Sequence, residues 1–280
     1  MSIFQVKDRY DLNDFVSLIS FLRSDNGCPW DRVQTHSSIK RNLLEEAYEL
    51  AETLENDDKE HMKEELGDVL MQVLFHTDIE ANAGVFDLND VADHACKKLV
   101  SRHPNLFGEK TDLDWDQIKR LERGEVTVAS EMNGVSRTLP ALWRAEKIQR
   151  KAAKIGYDWP SVFDALDKIQ EETQELREGI VASDEDNIIE ELGDLIFASV
   201  DAARMLGVDP EVAVHRACEK AIGRFRFMEA AAQKQGTTLE RLNLVEMEEL
   251  HQKARCELEG KEPVYDKMEQ FKEYVMNEQE

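Results

Sequence analysis

Apolar residues recur every three or four positions along most of the chain, which is the spacing of one face of an α-helix. One stripe follows Ser161, a candidate N-cap, and consists of Val162, Leu166, Ile169, Thr173, Leu176 and Ile180. A second stripe consists of Ile188, Leu192, Leu195, Ser199, Ala202 and Leu206. Glycine and proline are sparse, and the alternation of β-branched residues typical of strands is almost absent. The pattern therefore predicts an all-α fold.

One acidic signature occurs twice, with its two halves separated by the same gap each time. The first copy reads Glu-Glu-Ala-Tyr-Glu-Leu at 45–50 and Glu-Glu-Leu-Gly-Asp at 64–68. The second copy reads Glu-Glu-Thr-Gln-Glu-Leu at 171–176 and Glu-Glu-Leu-Gly-Asp at 190–194. Identical internal spacing indicates a constrained geometry, so we predict two duplicated helical-bundle domains.

Several of the repeated carboxylates fall on the apolar stripes rather than opposite them. Glu172 and Glu191 lie among the apolar residues of their helices, and Glu46 has the same place in the first copy. A solvated acidic helix keeps its carboxylates on the opposite face. Two carboxylates about 4 Å apart repel by roughly 4 kcal/mol at an effective dielectric constant of about 20. We therefore expect the clusters to need protons, cationic partners or a divalent metal.

The spacing within each signature places its carboxylates on neighbouring helical turns, as a Glu-x-x-Glu pair and a Glu-x-x-Asp pair. In the second copy the short polar segment 181–187 would return the chain, so that both pairs aim at one point. Ligation by oxygen alone suits Mg²⁺ or Mn²⁺ and argues against zinc. Gly67 and Gly193 interrupt good helices, which we interpret as room for a neighbouring helix or a ligand.

The net charge of −24 limits the partners of the chain. It repels nucleic acid and anionic membranes, and it would repel a nucleotide unless divalent cations reverse the local sign. No apolar run has the length of a membrane span, and the N-terminus lacks the pattern of a signal peptide. The 4 cysteines are scattered and form no Cys-x-x-Cys zinc pair. The expected location is the reducing cytoplasm.

Two pairs of cations accompany the acids. Lys98 and Arg102 are four residues apart on one helix face, and Lys220 and Arg224 repeat this spacing. Such pairs suit phosphate oxygens. The alternative is that each pair consists of surface cations that offset the negative charge around them, and the residues leave both interpretations open.

A length of 280 residues suits two domains. The positions of the signatures predict an N-terminal domain at 1–108, a linker at 109–137 and a C-terminal domain at 138–260. Residues 261–280 are expected to form a charged tail.

Beyond the acids, a series of motifs occurs in a specific order. They are Cys28-Pro29-Trp30-Asp31 with Gln34-Thr35-His36, Leu44-Glu45-Glu46-Ala47, Glu65-Leu66-Gly67-Asp68, Arg102-His103-Pro104, Leu139-Pro140-Ala141-Leu142, Gly156-Tyr157-Asp158-Trp159 and the second acidic pair. Through these motifs the chain resembles the two-domain members of the MazG family of nucleoside triphosphate pyrophosphohydrolases.

The resemblance implies an all-α homodimer that hydrolyses nucleoside triphosphates, ATP among them, to the monophosphate and pyrophosphate, with Mg²⁺ and broad base tolerance. It also implies that the C-terminal copy is the active one. The implied metal ligands are Glu172, Glu175, Glu191 and Asp194, and the implied catalytic residues are Glu171, Glu172 and Glu190. The implied nucleotide contacts are Lys168, Glu171, Glu172, Asn187, Glu190, Asp194, Lys220, Arg224 and His251. A second site would consist of Glu45, Glu46, Glu49, Glu65, Asp68, Lys98 and Arg102.

Some positions depart from the pattern of the family. Asn187 and His251 stand where the family often has Lys and Trp, Asp201 replaces a common Asn, and Asn42 takes the place in the first copy that Lys168 has in the second.

Three other functions compete with this one. The first is a non-catalytic acidic dimer that senses nucleotides or docks a partner. The second is a pyrophosphatase restricted to one pyrimidine triphosphate. The third is a di-iron bundle, which usually needs Glu-x-x-His pairs that neither acidic signature contains.

Overall fold

The computed structural model describes residues 4–108, 110–113, 115–124 and 127–261, and every regular element within these ranges is helical. The all-α prediction is confirmed. In chain order the α-helices are α1 (Leu12–Leu22), α2 (Pro29–Arg32), α3 (His36–Glu55), α4 (Lys59–Ala83), α5 (Leu88–Ser101), α6 (Pro104–Phe107), α7 (Trp115–Arg123), α8 (Val128–Asn133), α9 (Ala141–Lys154), α10 (Val162–Ala182), α11 (Glu185–Met205), α12 (Pro210–Lys234) and α13 (Leu244–Glu259). The predicted tail, from residue 262 onward, lies outside the described residues.

The chain divides into two compact units, residues 1–122 and 123–280, each with one copy of the acidic signature. In the first unit the signature lies on α3 and α4, and in the second it lies on α10 and α11. The interval 109–137, predicted as a linker, contains α7 and α8. No described helix combines the length and the apolar character needed to cross a membrane.

In the first unit, α3 and α4 pack side by side, and α1 packs on α4. The fully buried apolar residues at this junction are Ile19, Ile39, Leu74 and Phe75. A capping box at Thr35 precedes α3, and the Asp58 carboxylate accepts two backbone N–H bonds at the start of α4. These caps fix where each acidic helix begins.

A buried ion pair joins α1 to α4 in the same unit. Arg23 Nε lies 2.9 Å from Asp78 Oδ2, and the two side chains are 8% and 10% exposed. The Ser20 hydroxyl donates to the other carboxylate oxygen at 2.7 Å, and Arg23 Nη1 donates to the carbonyl oxygen of Asp31 at 2.7 Å. Because both charges are desolvated, each depends on the other for its stabilisation.

In the second unit, α10 and α11 make the most extensive helix–helix contact of the described residues. Ser161 is the N-cap residue of α10, as predicted, although its hydroxyl donates to the Asp164 carboxylate instead of accepting a backbone N–H. Ser183 ends α10 in the left-handed conformation with φ of 56°. The Asp184 side chain then accepts the N–H of Asn187 and begins α11. This connection folds the two acidic helices back on each other.

The space beside two helical glycines is open in the described part of the chain. Gly67 and Gly193 were expected to make room for a neighbouring helix or a ligand. No described atom lies within 4 Å of a Cβ built at either position, so the chain itself brings no helix against them. The close approach occurs at Gly179 instead, where such a Cβ would stand 2.5 Å from the side-chain oxygen of Asn187.

We expect Asp78→Ala to lower the free energy of unfolding of the first unit by about 3 kcal/mol, because it leaves the Arg23 guanidinium buried without its carboxylate. Thermal and urea unfolding of the full chain would measure the loss.

The matched control is Asp25→Ala. The Asp25 side chain is 96% exposed and pairs with Arg32 at 3.5 Å, so we expect a change of less than about 0.5 kcal/mol. Equal losses of unfolding free energy in the two variants would contradict the prediction that burial makes the α1–α4 ion pair more important for stability than an exposed pair.

Candidate functional site

Three glutamates of α10 and α11 converge in the second unit. Glu172, Glu175 and Glu191 each offer a carboxylate oxygen within 4.8 Å of those of the other two. Glu172 is the most buried of them, at 4% exposure, as its place on the apolar stripe predicts. A Glu-x-x-Glu pair on one helix and a glutamate on the next therefore meet at one point, as the spacing indicated.

The carboxylates of this cluster oppose one another electrostatically. Burial raises the pKa of the Glu175 carboxyl, and repulsion by Glu172 and Glu191 raises it further. Hydrogen bonds from Lys168 to Glu171 and Glu172 raise the pKa of the Lys168 ammonium, which lies 2.7 Å and 2.6 Å from their oxygens. The Lys168 ammonium thus forms ion pairs with two carboxylates at once.

A close helix contact orients Glu191. The side-chain amide of Asn187 donates to Glu191 Oε1 at 2.9 Å. The oxygen of the same amide lies against Gly179 on α10, in space that only a residue without a Cβ leaves open. Gly179 therefore lets Asn187 lie between the two helices and hold the carboxylate of Glu191.

Asp194 lies one helical turn beyond Glu191 and outside the group of three. It lines a cleft of about 690 Å³, and Lys168 and Glu172 form part of the same wall. Most of the remaining wall is apolar, with contributions from Met132, Ile148, Ala152, Phe197 and Ala198. The acidic cluster is thus at the edge of a cavity large enough for a small organic molecule.

A hydrogen-bonded network of charged side chains forms another part of the cleft. Trp159 Nε1 donates to Asp201 Oδ2 at 2.8 Å, and Arg204 Nε donates to Asp201 Oδ1 at 2.8 Å. Arg204 also donates both terminal nitrogens to Asp158, and these bonds hold the pKa of the Asp158 carboxyl below its usual range. Each of these N–H groups is directed at a carboxylate.

Gln149 of α9 completes the wall of the cleft. Its side chain is 5% exposed, and Nε2 donates to the carbonyl oxygen of Phe197 at 2.8 Å. Its Oε1 accepts no hydrogen bond from the described part of the chain. A buried amide oxygen without a donor is uncommon in a folded protein and needs an explanation.

The remaining residues assigned to the second copy fall into two groups. Glu171 and Glu190 are exposed next to the cluster in sequence, and Glu171 pairs with Lys168. Lys220 is exposed on α12. Arg224 donates to Glu259 at 2.6 Å and lies 3.4 Å from His251 Nε2. Arg224 therefore contacts residues of α13, and no hydrogen bond or ion pair of the described residues joins either cation of α12 to the cluster.

The first unit contains a similar cluster that lacks the lysine of the second. Glu46, Glu49 and Glu65 offer oxygens within 4.8 Å of one another. Burial raises the pKa of Glu46 and Glu65, and repulsion from neighbouring carboxylates, Asp68 among them, adds to it. Asn42 stands where the second copy has Lys168, so this cluster has no ammonium at that place.

The other residues of the proposed second site are engaged elsewhere. Glu45 accepts a hydrogen bond from Arg41 at 2.7 Å. Arg102 pairs with Glu122 at 2.7 Å and lies over the Trp115 ring at 5.3 Å, whereas Lys98 is exposed. In each unit the arginine of the cation pair thus binds a glutamate of a later helix.

The donor sets fit a hard divalent cation. Both groups found among the described residues consist of glutamate oxygens, which are the ligands that Mg²⁺ and Mn²⁺ prefer. The raised pKa values of Glu46 and Glu175 show that burial and neighbouring carboxylates disfavour the charged form in each group. The absence of histidine from either group disfavours the di-iron alternative.

Sequence reasoning did not assign a role to Gln149, Asp158 or Arg204. The signal for Gln149 was available, because it lies four residues after Ala145 and three before Ala152 on the apolar face of α9. Asp158 belongs to a motif that was noted, but its arginine partner lies 46 positions away and no local pattern links them.

Comparisons with known proteins agree with this architecture. The model of the MazG nucleotide pyrophosphohydrolase domain matches residues 34–107 and 164–226, one segment in each unit. The chain is 41% identical over 245 residues to a nucleoside triphosphate pyrophosphohydrolase/pyrophosphatase MazG of Thermotoga maritima, covering 86% of this chain and 94% of that protein.

Two further relatives extend the comparison. A nucleoside triphosphate pyrophosphohydrolase of Escherichia coli K12 is 37% identical over 242 residues, or 82% of this chain and 91% of that protein. The uncharacterized protein YabN of Bacillus subtilis is 39% identical over 254 residues, or 88% of this chain and 52% of that protein. The chain belongs to the MazG nucleotide pyrophosphohydrolase family.

Proposed function

We propose that this protein hydrolyses nucleoside triphosphates to the monophosphate and pyrophosphate at the second acidic cluster, with Mg²⁺, or Mn²⁺ in its place, as the cofactor. The observation that carries the proposal is the wall shared by the carboxylate cluster and the cleft, to which Lys168, Glu172 and Asp194 contribute. A triphosphate bound at the cluster has its nucleoside end beside a largely apolar cavity. The volume of about 690 Å³ admits purines and pyrimidines, which supports broad base tolerance over the pyrimidine-restricted alternative.

Different residues of the chain bind the cation and accept the proton. When bound by Glu172, Glu175, Glu191 and Asp194, the divalent cation supplies positive charge to the triphosphate and to the pyrophosphate that leaves. Glu171 or Glu190, both exposed beside the cluster, accepts a proton from the water that attacks the α-phosphorus. The new bond joins the water oxygen to the α-phosphorus, and the bond to the bridging oxygen of the pyrophosphate breaks.

Lys168 is the cation best placed to hold phosphate oxygens. It lines the cleft and already contacts the oxygens of Glu171 and Glu172. A dication held at Glu172 would supply positive charge to that carboxylate, and the Lys168 ammonium would then donate to a phosphate oxygen. Lys220, Arg224 and His251 remain candidates for contact with the pyrophosphate, and Arg224 must exchange the Glu259 carboxylate for phosphate to act.

A homodimer is also proposed. Ile189, Leu192 and Ile196 form an apolar stripe on α11, and they are 72%, 47% and 47% exposed. Gly193 lies within this stripe with no described atom near its Cβ position, so a second copy can approach closely there. An exposed apolar surface of this kind is typical of an interface.

We expect Glu172→Gln to lower kcat by at least about 10³-fold, because the variant loses a buried ligand carboxylate while it keeps the shape of the side chain. Pyrophosphate release from ATP in Mg²⁺ measures the loss, and circular dichroism checks the fold.

Two control variants make this experiment specific. Glu178→Gln changes an exposed glutamate of α10 and should retain full activity. Glu46→Gln changes the equivalent residue of the first cluster and should retain activity if the second copy is the catalytic one. Wild-type turnover by Glu172→Gln would contradict the proposed site, and loss of activity in Glu46→Gln alone would move it to the first unit.

Cation binding can be tested without turnover. We expect Mg²⁺ at about 100 times its Kd to stabilise the second unit by about 2.7 kcal/mol, since binding to the folded state alone shifts the unfolding equilibrium. Differential scanning calorimetry with Mg²⁺ or EDTA measures the change. The double variant Glu175→Gln/Glu191→Gln should lose the shift of the second unit, and an undiminished shift would place the cation elsewhere.

Association can be tested at the α11 stripe. We expect Ile189→Asp to shift the chain from dimer to monomer in light scattering after gel filtration, because it places a charge in an apolar contact. Glu185→Asp, an exposed change on the same helix, should leave the dimer intact. A monomeric wild-type chain would refute the dimer.

A further inference from the structure

The cleft in the second unit has a polar end that lies away from the acidic cluster. Asp201 follows Asp194 by seven residues on α11, which corresponds to about 10 Å along the helix axis. Ala198 lies between them and is buried on the same wall. A separation of two helical turns matches the reach of a nucleotide from its α-phosphate to the far edge of its base. A base that extends from the cluster into the cleft therefore ends near Asp201.

Hydrogen-bond acceptors remain available at this end, whereas the donors of Trp159 and Arg204 are already used. The indole N–H of Trp159 and the guanidinium of Arg204 donate to Asp201 and Asp158. Asp201 Oδ1 lies 2.8 Å from Nε and 2.7 Å from Nη2 of Arg204, whereas Oδ2 accepts only the Trp159 indole N–H. A carboxylate has about four acceptor sites, so Oδ2 keeps one for a ligand. With two carboxylates and one guanidinium, the network carries a net negative charge.

Gln149 adds a second acceptor at the same place. Its Nε2 donates to the carbonyl oxygen of Phe197, which is four residues before Asp201 on α11. The amide orientation is therefore fixed, and Oε1 is the atom left without a donor among the described residues. Since the side chain is 5% exposed, this oxygen has lost water without gaining a protein partner. A ligand that donates a hydrogen bond would remove that deficit.

We propose that Gln149 and Asp201 recognise the exocyclic amino group of the base, so that the enzyme prefers nucleotides that carry one over their deaminated counterparts. The inference rests on the proposed function and deepens it by naming the residues that set base preference. The amino groups of adenine and cytosine donate two hydrogen bonds, one for each acceptor. The keto groups of hypoxanthine and uracil instead direct oxygen lone pairs at the same two acceptors.

Deamination pairs test the proposal with little change in base size. We expect kcat/KM for ATP over ITP, and for CTP over UTP, to exceed about 10, because a site built to pair a hydrogen-bonding group rejects an analogue that leaves it unpaired. Pyrophosphate release in Mg²⁺ measures all four values. In Gln149→Leu both ratios should fall toward 1. Gln233→Leu, an exposed change on α12, should leave both ratios unchanged.

Asp201→Asn supplies an independent variant that keeps the size of the side chain. It replaces one acceptor by an N–H donor, so both ratios should fall and the values for ITP and UTP should rise. Ratios near 1 in the wild type, or ratios unchanged in both variants, would overturn the proposal. Absence of cleavage of every nucleotide would instead overturn the proposed function. Equilibrium binding of the same four nucleotides in Mg²⁺ would then decide the base preference, with equal affinities counting against it.

Discussion

Mutual repulsion among glutamates held at the junction of two helices is the constraint on which the second unit depends. Glu172 is almost fully buried, and Glu175 and Glu191 each have a carboxylate oxygen within 4.8 Å of one of its oxygens. The backbones that carry them are held together, because α10 and α11 pack on each other and are joined by a two-residue connection. The electrostatic cost is therefore part of the fold, and a cation held by these carboxylates would relieve it without disturbing the helices.

The two copies of the signature have diverged in how firmly their carboxylates are held. In the second copy Lys168 contacts Glu172, and Asn187 donates to Glu191. In the first copy Asn42 replaces the lysine, and His61, the counterpart of Asn187, pairs with Asp58 instead. Glu65 has one buried oxygen without a hydrogen-bond partner among the described residues. Preorganisation therefore favours the second copy, although the acids themselves are the same.

The positions of the acidic helices could be predicted because they depend on residues that are close together in the sequence. The apolar stripe of α10 places Glu172 correctly on the buried face, although Leu166 and Ile180 of the same stripe are exposed. Ser161 marks where that helix begins. Two helices that carry repeated ligand pairs can meet in few ways, so the convergence of Glu172, Glu175 and Glu191 was accessible to prediction.

The parts of the site that escaped prediction depend on long-range packing. Arg204 binds Asp158 across 46 positions, and Gln149 reaches the backbone of Phe197 across 48. No spacing rule encodes such contacts, since they arise from how α9 and the segment before α10 pack on α11. The pairing of Arg224 with Glu259 is of the same kind. Family motifs placed that arginine among the phosphate ligands, and only the three-dimensional arrangement reveals a competing carboxylate.

The tight contact between Gly179 and Asn187 has a consequence for how this protein tolerates change. Gly179 bears no charge, touches no proposed substrate atom and lies outside both halves of the acidic signature. A single added methyl group there would meet the amide oxygen of Asn187 at 2.5 Å and force that side chain to move. Glu191 would then lose the donor that orients it. A substitution usually regarded as mild would in this way affect a carboxylate on the opposite helix, so the steric fit between the Gly179 backbone and the Asn187 side chain limits the geometry of the charged centre.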